Sequence, residues 1–180
     1  MFQRLFGRER HANRAITEAL YASIVAAARQ PPFYSHWSVP DTALGRFEML
    51  SLHMFIFQHR MHKEAGASWD IAQILIDDFF ADVDHSLREL GIGDMGIPKR
   101  MKKLAKMYYG RTAAYADALD RGDRQALAAA LARNIRPEAE SWPEAARLAD
   151  YVTDAVEMLA AQDSEAIRAG FVSFPTPVQA

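Results

Sequence analysis

The sequence predicts an all-α fold, a single compact bundle of about six to seven helices. Every long segment between glycine and proline breaks repeats its apolar residues with a helical period. No short run of residues alternates apolar and polar side chains with the β-branched and aromatic types of a strand. Cysteine is absent from the 180 residues, so packing of apolar side chains, and not disulfide bonds, must stabilise the domain.

The first helix is predicted over 11–30, because Ile16 and Leu20 share one face and Pro31 must end the helix. The segment before it is rich in arginine and could contact an anionic membrane surface, although an unstructured terminus explains the same pattern. Residues 1–32 are therefore taken as an N-terminal unit, a basic segment with the first helix, ahead of the main domain.

An aromatic linker over 33–37 leads to a second helix, predicted from Asp41 to about Lys63 with Asp41 as its N-cap. Apolar side chains point nearly all round this helix, so we expect it to be central and buried. Three basic side chains interrupt them on one stripe, because they are spaced seven residues apart. This predicted structural ionic seam consists of Arg46, His53 and Arg60. Buried arginine needs a partner, which acidic side chains of the next helix could supply.

An acidic helix follows, with Ser68 as its predicted N-cap and a continuous apolar face. Arg88 is the one basic residue among its acids, which are Asp70, Asp77, Asp78, Asp82, Asp84, Glu89 and, in the turn after it, Asp94. Gly91 is placed as the C′ residue of the helix, and the glycine-rich turn over 91–98 is unsuited to continue it.

A basic helix comes next, with Pro98 in its first turn. Its apolar residues repeat at helical spacing on one side, so we expect its lysines to face solvent on the other. Six cations follow one another with no acid between them: Lys99, Arg100, Lys102, Lys103, Lys106 and Arg111. Gly110 is expected to bend or break the helix before Arg111.

The remaining helices are predicted from their capping residues. Gly122 ends the basic helix and Asp123 caps the next one, over 124–135. Ser141 and Glu144 form a capping-box pattern.

That pattern opens the last long helix, predicted over 143–162. A short helical piece over 164–169 follows it, and two prolines indicate an extended tail over 171–180. The residues 33–170 between the N-terminal unit and this tail are taken as the main helical domain.

Charge and hydropathy exclude several classes of protein. The formal net charge of −2 argues against a molecule that binds polyanions with its whole surface, and DNA is not an expected partner. The longest apolar stretch runs from Met49 to Phe57 and contains His53, which is far short of the roughly 20 residues of a membrane span. The N-terminus shows no secretory signal. The expected location is the cytoplasm, with peripheral contact with the inner membrane as an option.

The sharpest enzymatic alternative is a helix-bundle metalloenzyme. Asp82 with His85, and His59 with His62, each place two possible metal ligands on one helical face. The match is poor, because His85 points away from the apolar face of its helix. No catalytic serine motif is present, and the glycine-rich turn lacks the strand that a dinucleotide fingerprint requires. We therefore expect no enzyme, no bound metal and no cofactor.

The acidic helix, the turn and the basic helix together form a two-signed surface, which favours contact with partners over bond-breaking chemistry. The candidate partner-binding residues are Lys99, Arg100, Lys102, Lys103, Lys106, Arg111, Asp78, Asp82, Asp84 and Arg88. Plain solvation or pairing within the chain explains such charges equally well. An RNA- or ribosome-binding module and an acidic protein partner are the other readings left open.

Several ordered blocks of this sequence resemble the ubiquinol-cytochrome c chaperone family. They cover roughly 33 to 135, with weaker likeness to about 175. The blocks are Phe33-Tyr34, Val39 to Thr42, Gly45 to Glu48, Leu52-His53, Asp82 to Asp94, Ile97 to Lys103, Tyr109 to Arg111 and Ala130 to Ile135.

The resemblance implies a non-catalytic assembly chaperone that binds newly made cytochrome b and helps it enter respiratory complex III. The family brings no catalytic residues and no cofactor to carry over. It implies contact with the ribosome and the inner membrane, and the absence of an arginine- and serine-rich leader favours a bacterial member. The cations at 99–106 could then meet ribosomal RNA or anionic lipid, and an apolar groove could hold an unassembled membrane helix.

Overall fold

The predicted all-α fold is confirmed by the computed structural model. The model describes residues 2–62, 64, 67–89, 91 and 95–178, with side chains described from residue 14 onwards except at 67 and 68. Within these residues there is no strand, and six long helices and two five-residue helices occur. They are α1 (Phe2–Ala28), α2 (Pro31–Ser35), α3 (Ala43–Met61), α4 (Ala67–Glu89), α5 (Ile97–Asp120), α6 (Arg124–Ile135), α7 (Ala145–Ala160) and α8 (Ser164–Arg168).

The N-terminal elements differ from their prediction in two ways. α1 begins at Phe2, well before the predicted start at 11, and it ends at Ala28 ahead of the two prolines. The predicted aromatic linker is largely helical, because Pro31 starts α2 with a backbone angle that suits the first helical turn. Phe33 of α2 is fully buried, so this short helix anchors its aromatic side chains in the core.

α3 is the central helix, as predicted. Eleven of its residues are buried, and it packs against α1, α4, α5, α6 and α7. Its N-cap is Thr42 and not Asp41, because the Thr42 hydroxyl accepts a hydrogen bond from the backbone N–H of Gly45 at 3.1 Å. A Cβ atom on Gly45 would lie 1.9 Å from the carbonyl oxygen of Pro40, so only glycine lets the loop approach the helix this closely.

α4 and α5 form a hairpin in which both helices pack against α3. Gly91 has a φ of 77°, as its predicted place at the end of α4 requires. The predicted N-cap at Ser68 is wrong, because α4 begins at Ala67 and Ser68 lies inside the helix. The acid Asp94 lies outside the described residues. α5 starts with Pro98 in its first turn and runs unbroken through Gly110, contrary to the expected bend. A mid-helix glycine costs about 1 kcal/mol, which the packing of buried Tyr108 and Tyr115 on either side offsets.

The C-terminal helices follow the predicted order. α6 has the predicted bounds, and Asp123 caps it by accepting a hydrogen bond from the backbone N–H of Ala126 at 2.8 Å. The predicted capping box at Ser141 and Glu144 is wrong, since α7 begins at Ala145 without a side-chain cap. Trp142 is buried there instead and donates its indole N–H to the carbonyl oxygen of Trp37 at 2.9 Å.

Residues 171–178 after α8 have no helix or strand, and they pack on the bundle. The Gln162 side chain accepts a hydrogen bond from the Ser173 backbone N–H at 2.9 Å and donates one to the Ser173 carbonyl at 2.8 Å. Val172 is buried, and the Phe174 ring lies 5.4 Å from the His53 ring. The division into residues 1–32, 33–170 and 171–180 stays a prediction. Among the described residues, no helix has the length and apolar character needed to cross a bilayer.

Candidate functional site: an apolar groove with a charged rim

An open groove of about 760 Å³ lies between the first turns of α3 and the last turns of α4. The end of α1 and the first turns of α5 complete its walls. α3 and α4 are consecutive helices that pack on each other, so the start of one lies beside the end of the other. We call this feature the α3–α4 groove. Its volume lies within the range that ligand and peptide sites usually have.

Apolar side chains from three helices form the floor of the α3–α4 groove. They are Leu44, Phe47, Leu50, Val83, Leu87 and Leu104. Leu44 is 51% exposed, which is unusual for a large apolar side chain that lies beside other apolar side chains. Phe47 stacks on the buried ring of Phe79, with their centroids 5.8 Å apart, and so joins the floor to the core. The groove therefore offers an apolar surface on a rigid base.

Three carboxylates lie along the rim, and each already has a partner in the chain. Asp41 accepts a hydrogen bond from the Arg46 guanidinium at 2.7 Å, which lowers the pKa of that carboxyl. Asp82 accepts a hydrogen bond from the Tyr21 hydroxyl at 3.0 Å. Burial, with the nearby charge of Asp82, raises the pKa of Tyr21, so this phenol stays protonated and keeps donating.

The third rim carboxylate, Glu89, pairs with His85 at 3.3 Å. Three arginines complete the rim, Arg29, Arg46 and Arg100. Arg46 is held by Asp41, whereas Arg29 and Arg100 are exposed and form no ion pair within the part of the chain that the structure describes. The charged rim groups that have no hydrogen bond or ion pair among the described residues are therefore both arginines.

The first three turns of α5 carry the predicted lysines on their outer side, and these side chains are exposed as expected. We call Lys99, Lys102, Lys103 and Lys106 the lysine face. No ion pair joins them to any residue of the described ranges. α5 has no acidic residue in its first turn, so cations there oppose the helix dipole at a cost in stability. Arg100 lies on the same turns but lines the α3–α4 groove, which makes the lysine face its neighbour.

Arg111 was grouped with these cations from the sequence, and the structure separates it from them. Its side chain is 8% exposed and pairs with Glu48 of α3 at 2.7 Å. Its guanidinium lies 6.0 Å from the centre of the Phe47 ring. Arg111 follows Leu104 by seven residues, which returns it to the inner side of α5. It supports the groove floor from beneath.

Glu48 was not selected from the sequence. It is 3% exposed, and burial raises its pKa to about 7, an effect that the Arg111 guanidinium opposes. The available signal was the one acidic residue in a helix predicted to be central and buried, because a buried carboxylate needs a counter-ion.

The predicted acidic residues of α4 have different roles. Asp78 lies near Arg14 and Glu18 of α1, and desolvation is the main cause that raises its pKa. Asp84 accepts a hydrogen bond from Arg88 at 2.8 Å on the surface of α4. Asp82 lines the α3–α4 groove. Of the ten predicted partner-binding residues, the groove thus brings together Arg100 and Asp82.

The predicted ionic seam is divided into three separate sites, each with its own partners. Arg46 is exposed beside Asp41 at the groove rim. His53 is fully buried, and it donates from Nδ1 to the Met49 carbonyl and accepts at Nε2 from the Tyr151 hydroxyl, both at 2.8 Å. Burial lowers the pKa of His53 to about 4, so the ring is neutral at pH 7.

Arg60, the third member of the seam, ties the end of α3 to the α7–α8 connection. It donates hydrogen bonds to Glu64 at 2.6 Å, to the Leu159 carbonyl at 2.9 Å and to the Ser164 hydroxyl at 2.9 Å. These contacts make Arg60 a structural residue of the bundle.

The histidines of the metalloenzyme alternative do not converge. His85 is exposed beside Glu89, the His62 ring contacts the Trp69 ring, and the His59 ring contacts Phe55. In the part of the chain that is described, no group of three or more potential metal ligands occurs. The carboxylate of Asp82, the proposed partner of His85, is bound by Tyr21.

Comparison with known proteins identifies the family. The model of the ubiquinol-cytochrome C chaperone family matches residues 35–174. The chain belongs to the ubiquinol-cytochrome c chaperone family. The resemblance seen in the sequence is therefore confirmed, and the family match includes the α3 and α4 residues of the α3–α4 groove.

Two similar proteins extend this comparison. The crystal structure of the Cbp3 homolog from Brucella abortus is 56% identical in sequence and superimposes with a TM-score of 0.90, over 97% of both chains. Ubiquinol-cytochrome-c reductase complex assembly factor 1 of Xenopus laevis is 25% identical over 147 residues, which is 81% of this chain and 73% of that protein. The chaperone fold is thus shared over nearly the whole chain.

Proposed function

We propose that this protein is a non-catalytic chaperone that binds newly made cytochrome b and promotes its assembly into respiratory complex III. Membership of the ubiquinol-cytochrome c chaperone family supports the process. The single observation that supports the mode of action is the α3–α4 groove, whose apolar floor is open in the folded chain. A chaperone for a membrane subunit must cover apolar surface before the subunit reaches its partners, and such a groove does so without chemistry.

The groove floor is already formed in the folded chain and is still open to a client. Phe47 and Val83 are fixed by the core beneath them, so the floor is formed before the client arrives. Leu44 projects further into solvent than the other floor residues and would be covered first. A preformed apolar floor lowers the ordering cost of binding to that of the client segment alone.

The proposal is tested by deleting the gene and measuring assembled cytochrome b by its haem absorbance and by native gel electrophoresis of complex III. We expect both signals to fall strongly. Normal levels of complex III in the deletion strain would contradict the proposed function.

A matched pair of variants tests the groove itself. Leu44→Gln removes an exposed apolar side chain from the floor, and Met158→Gln removes a similarly exposed one, 41% against 51%, from α7 outside the groove. We expect only Leu44→Gln to fail to restore complex III to the deletion strain. A photo-crosslinking residue at position 44 should capture cytochrome b, and one at position 158 should not. Equal capture from both positions would place the client elsewhere.

The lysine face favours a second candidate function, contact with ribosomal RNA. Its four exposed cations could neutralise phosphates, and such binding would weaken as salt increases. Replacing Lys99, Lys102, Lys103 and Lys106 by glutamate should abolish co-sedimentation with ribosomes if this candidate is correct. Unchanged sedimentation would dismiss it. Action in the cytoplasm, with peripheral contact with the inner membrane, also stays a prediction.

A further inference from the structure

We propose that the α3–α4 groove selects an apolar helical segment with carboxylates along its edge, which Arg29 and Arg100 recognise. This inference rests on the proposed function, because it names the chemical class of client segment that the groove takes. It does not require that the segment come from cytochrome b, so it can be tested on the purified protein.

The acids and the bases of the rim differ in whether they already have a partner in the chain. All three carboxylates, Asp41, Asp82 and Glu89, are engaged by other groups of the chain. A basic segment would meet carboxylates that each have a partner already, although only Asp41 is paired with an arginine. An acidic segment meets Arg29 and Arg100, which have no ion-pair partner among the described residues.

Lysines next to Arg100 add positive charge on the α5 side of the groove. Lys99 and Lys103 are neighbours of Arg100 on the first turns of α5, and both are exposed. Charges separated by less than the Debye length of about 8 Å at physiological salt reinforce one another. The cations near Arg100 therefore attract a carboxylate toward the groove before contact and repel a basic segment.

The size of the groove also suits a helical segment. Two turns of an α-helix with side chains fill a cylinder about 10 Å wide and 11 Å long, roughly 850 Å³. The groove holds about 760 Å³, so it fits about two turns of helix. The floor residues Leu44, Phe47 and Leu50 are spaced three apart along one face of α3, which offers successive contacts to an elongated apolar segment. Cations from two places, Arg29 just after α1 and Arg100 in α5, suit acids distributed along such a segment better than the single charged head of a lipid.

The test uses the full chain and two labelled synthetic helical peptides rich in leucine and alanine. The peptides differ only in whether the positions along one edge are glutamate or lysine. Fluorescence anisotropy at low and at physiological salt measures their dissociation constants. We expect the glutamate peptide to bind up to about tenfold more tightly, as two exposed ion pairs allow, and the preference to shrink with added salt.

The variant Arg29→Gln/Arg100→Gln should abolish this preference. The matched control Lys102→Gln/Lys106→Gln removes the same charge from α5 on the side away from the groove and should keep most of it. Leu44→Gln should weaken binding of both peptides. Equal binding of the two peptides by the unmodified protein, or an equal loss in both double variants, would overturn the inference.

A lipid occupant is distinguished with vesicles of phosphatidylcholine containing or lacking phosphatidylglycerol. If the arginine variant loses binding to the anionic vesicles while its peptide preference is unchanged, the groove takes lipid and the inference is overturned. Failure of the proposed function is a separate result. If the protein prefers the glutamate peptide but its deletion leaves cytochrome b assembled, the proposed function is rejected and this inference is supported. If the two peptides bind equally but deletion blocks assembly, this inference is rejected and the proposed function is supported.

Discussion

Two regions of α3, which we call the closed side and the open side, present opposite solutions to the same problem of covering apolar surface. On one side, His53 lies in an aromatic cluster with Phe33, Trp37 and Tyr151, and the extended C-terminal segment covers it through Phe174. On the other side, Leu44, Phe47 and Leu50 of the α3–α4 groove are left open or half-buried. The closed side completes its own packing, whereas the open side leaves apolar surface exposed to solvent.

The two sides also differ in how far their polar and charged groups have partners within the chain. On the closed side, both ring nitrogens of His53 and the indole N–H of Trp142 have hydrogen-bond partners, whereas the buried indole N–H of Trp37 has none among the described residues. The groove side keeps Arg29 and Arg100 at its rim without an ion pair in the described ranges. A surface selected for stability alone would bury its leucines and pair its charges. The packed contacts of α3 and its exposed apolar surface therefore lie in different regions of one helix, and under the proposed function these regions serve stability and client binding respectively.

The largest expected effect comes from opening the closed side. Phe33 is fully buried, with its ring 4.9 Å from Tyr151 and 5.3 Å from Trp37. Phe33→Ala should lower the free energy of unfolding by about 3–5 kcal/mol, because it leaves a cavity among the aromatic rings. Denaturant titration measures this loss. Phe171→Ala, at a position 71% exposed, should change stability by under about 0.5 kcal/mol. Equal effects of the two variants would contradict the assignment of a closed side.

The next effect breaks the support beneath the groove. Arg111→Met should cost about 3 kcal/mol, because it leaves the buried Glu48 without its counter-ion. The double variant Glu48→Gln/Arg111→Met should recover most of that loss, since it removes both charges. A double-mutant cycle by denaturant titration measures the coupling. Additive losses would show that Glu48 and Arg111 act independently.

The pH dependence of stability gives a second test of the Glu48–Arg111 pair. The folded-state pKa of Glu48, about 7, lies above its ordinary value near 4.5, so the folded chain holds this proton more tightly than the unfolded chain. The contribution of Glu48 to the free energy of unfolding is fully present below pH 4.5. It is lost as the pH rises toward 7, by about 3 kcal/mol at most. Unfolding curves of the unmodified protein and of Glu48→Gln, compared at several pH values, should diverge over this window. Parallel curves would show that the Glu48 pKa is unshifted.

The elements set by local capping and packing patterns could be predicted from sequence. α6 has its predicted bounds because Asp123 caps it locally. α3 was predicted to be central because its own apolar side chains point nearly all round the helix. The capping box at Ser141 failed because Trp142 is buried against Trp37, a residue 105 positions away. Local patterns do not contain that contact.

The site was less accessible to sequence reasoning for the same reason. The groove depends on how α1, α3, α4 and α5 meet, and on the close contact of Gly45 with the Pro40 carbonyl that positions the start of α3. The partner of His53 is Tyr151, 98 residues later, so the seam looked continuous when only α3 was considered. Arg111 is different, because its phase relative to Leu104 already places it on the inner side of α5.

The smallest effect on stability is the one that tests the open side. Leu44→Gln should change the free energy of unfolding by under about 0.5 kcal/mol, because this side chain is 51% exposed and leaves no cavity. Phe79→Ala, beneath the floor, should instead cost about 3–5 kcal/mol, because its fully buried ring stacks on Phe47. Thermal and denaturant unfolding of both variants, beside the complementation assay, separate the two roles. If Leu44→Gln lost stability as strongly as Phe79→Ala, its failure to support complex III assembly would reflect unfolding, and the open side would be part of the core.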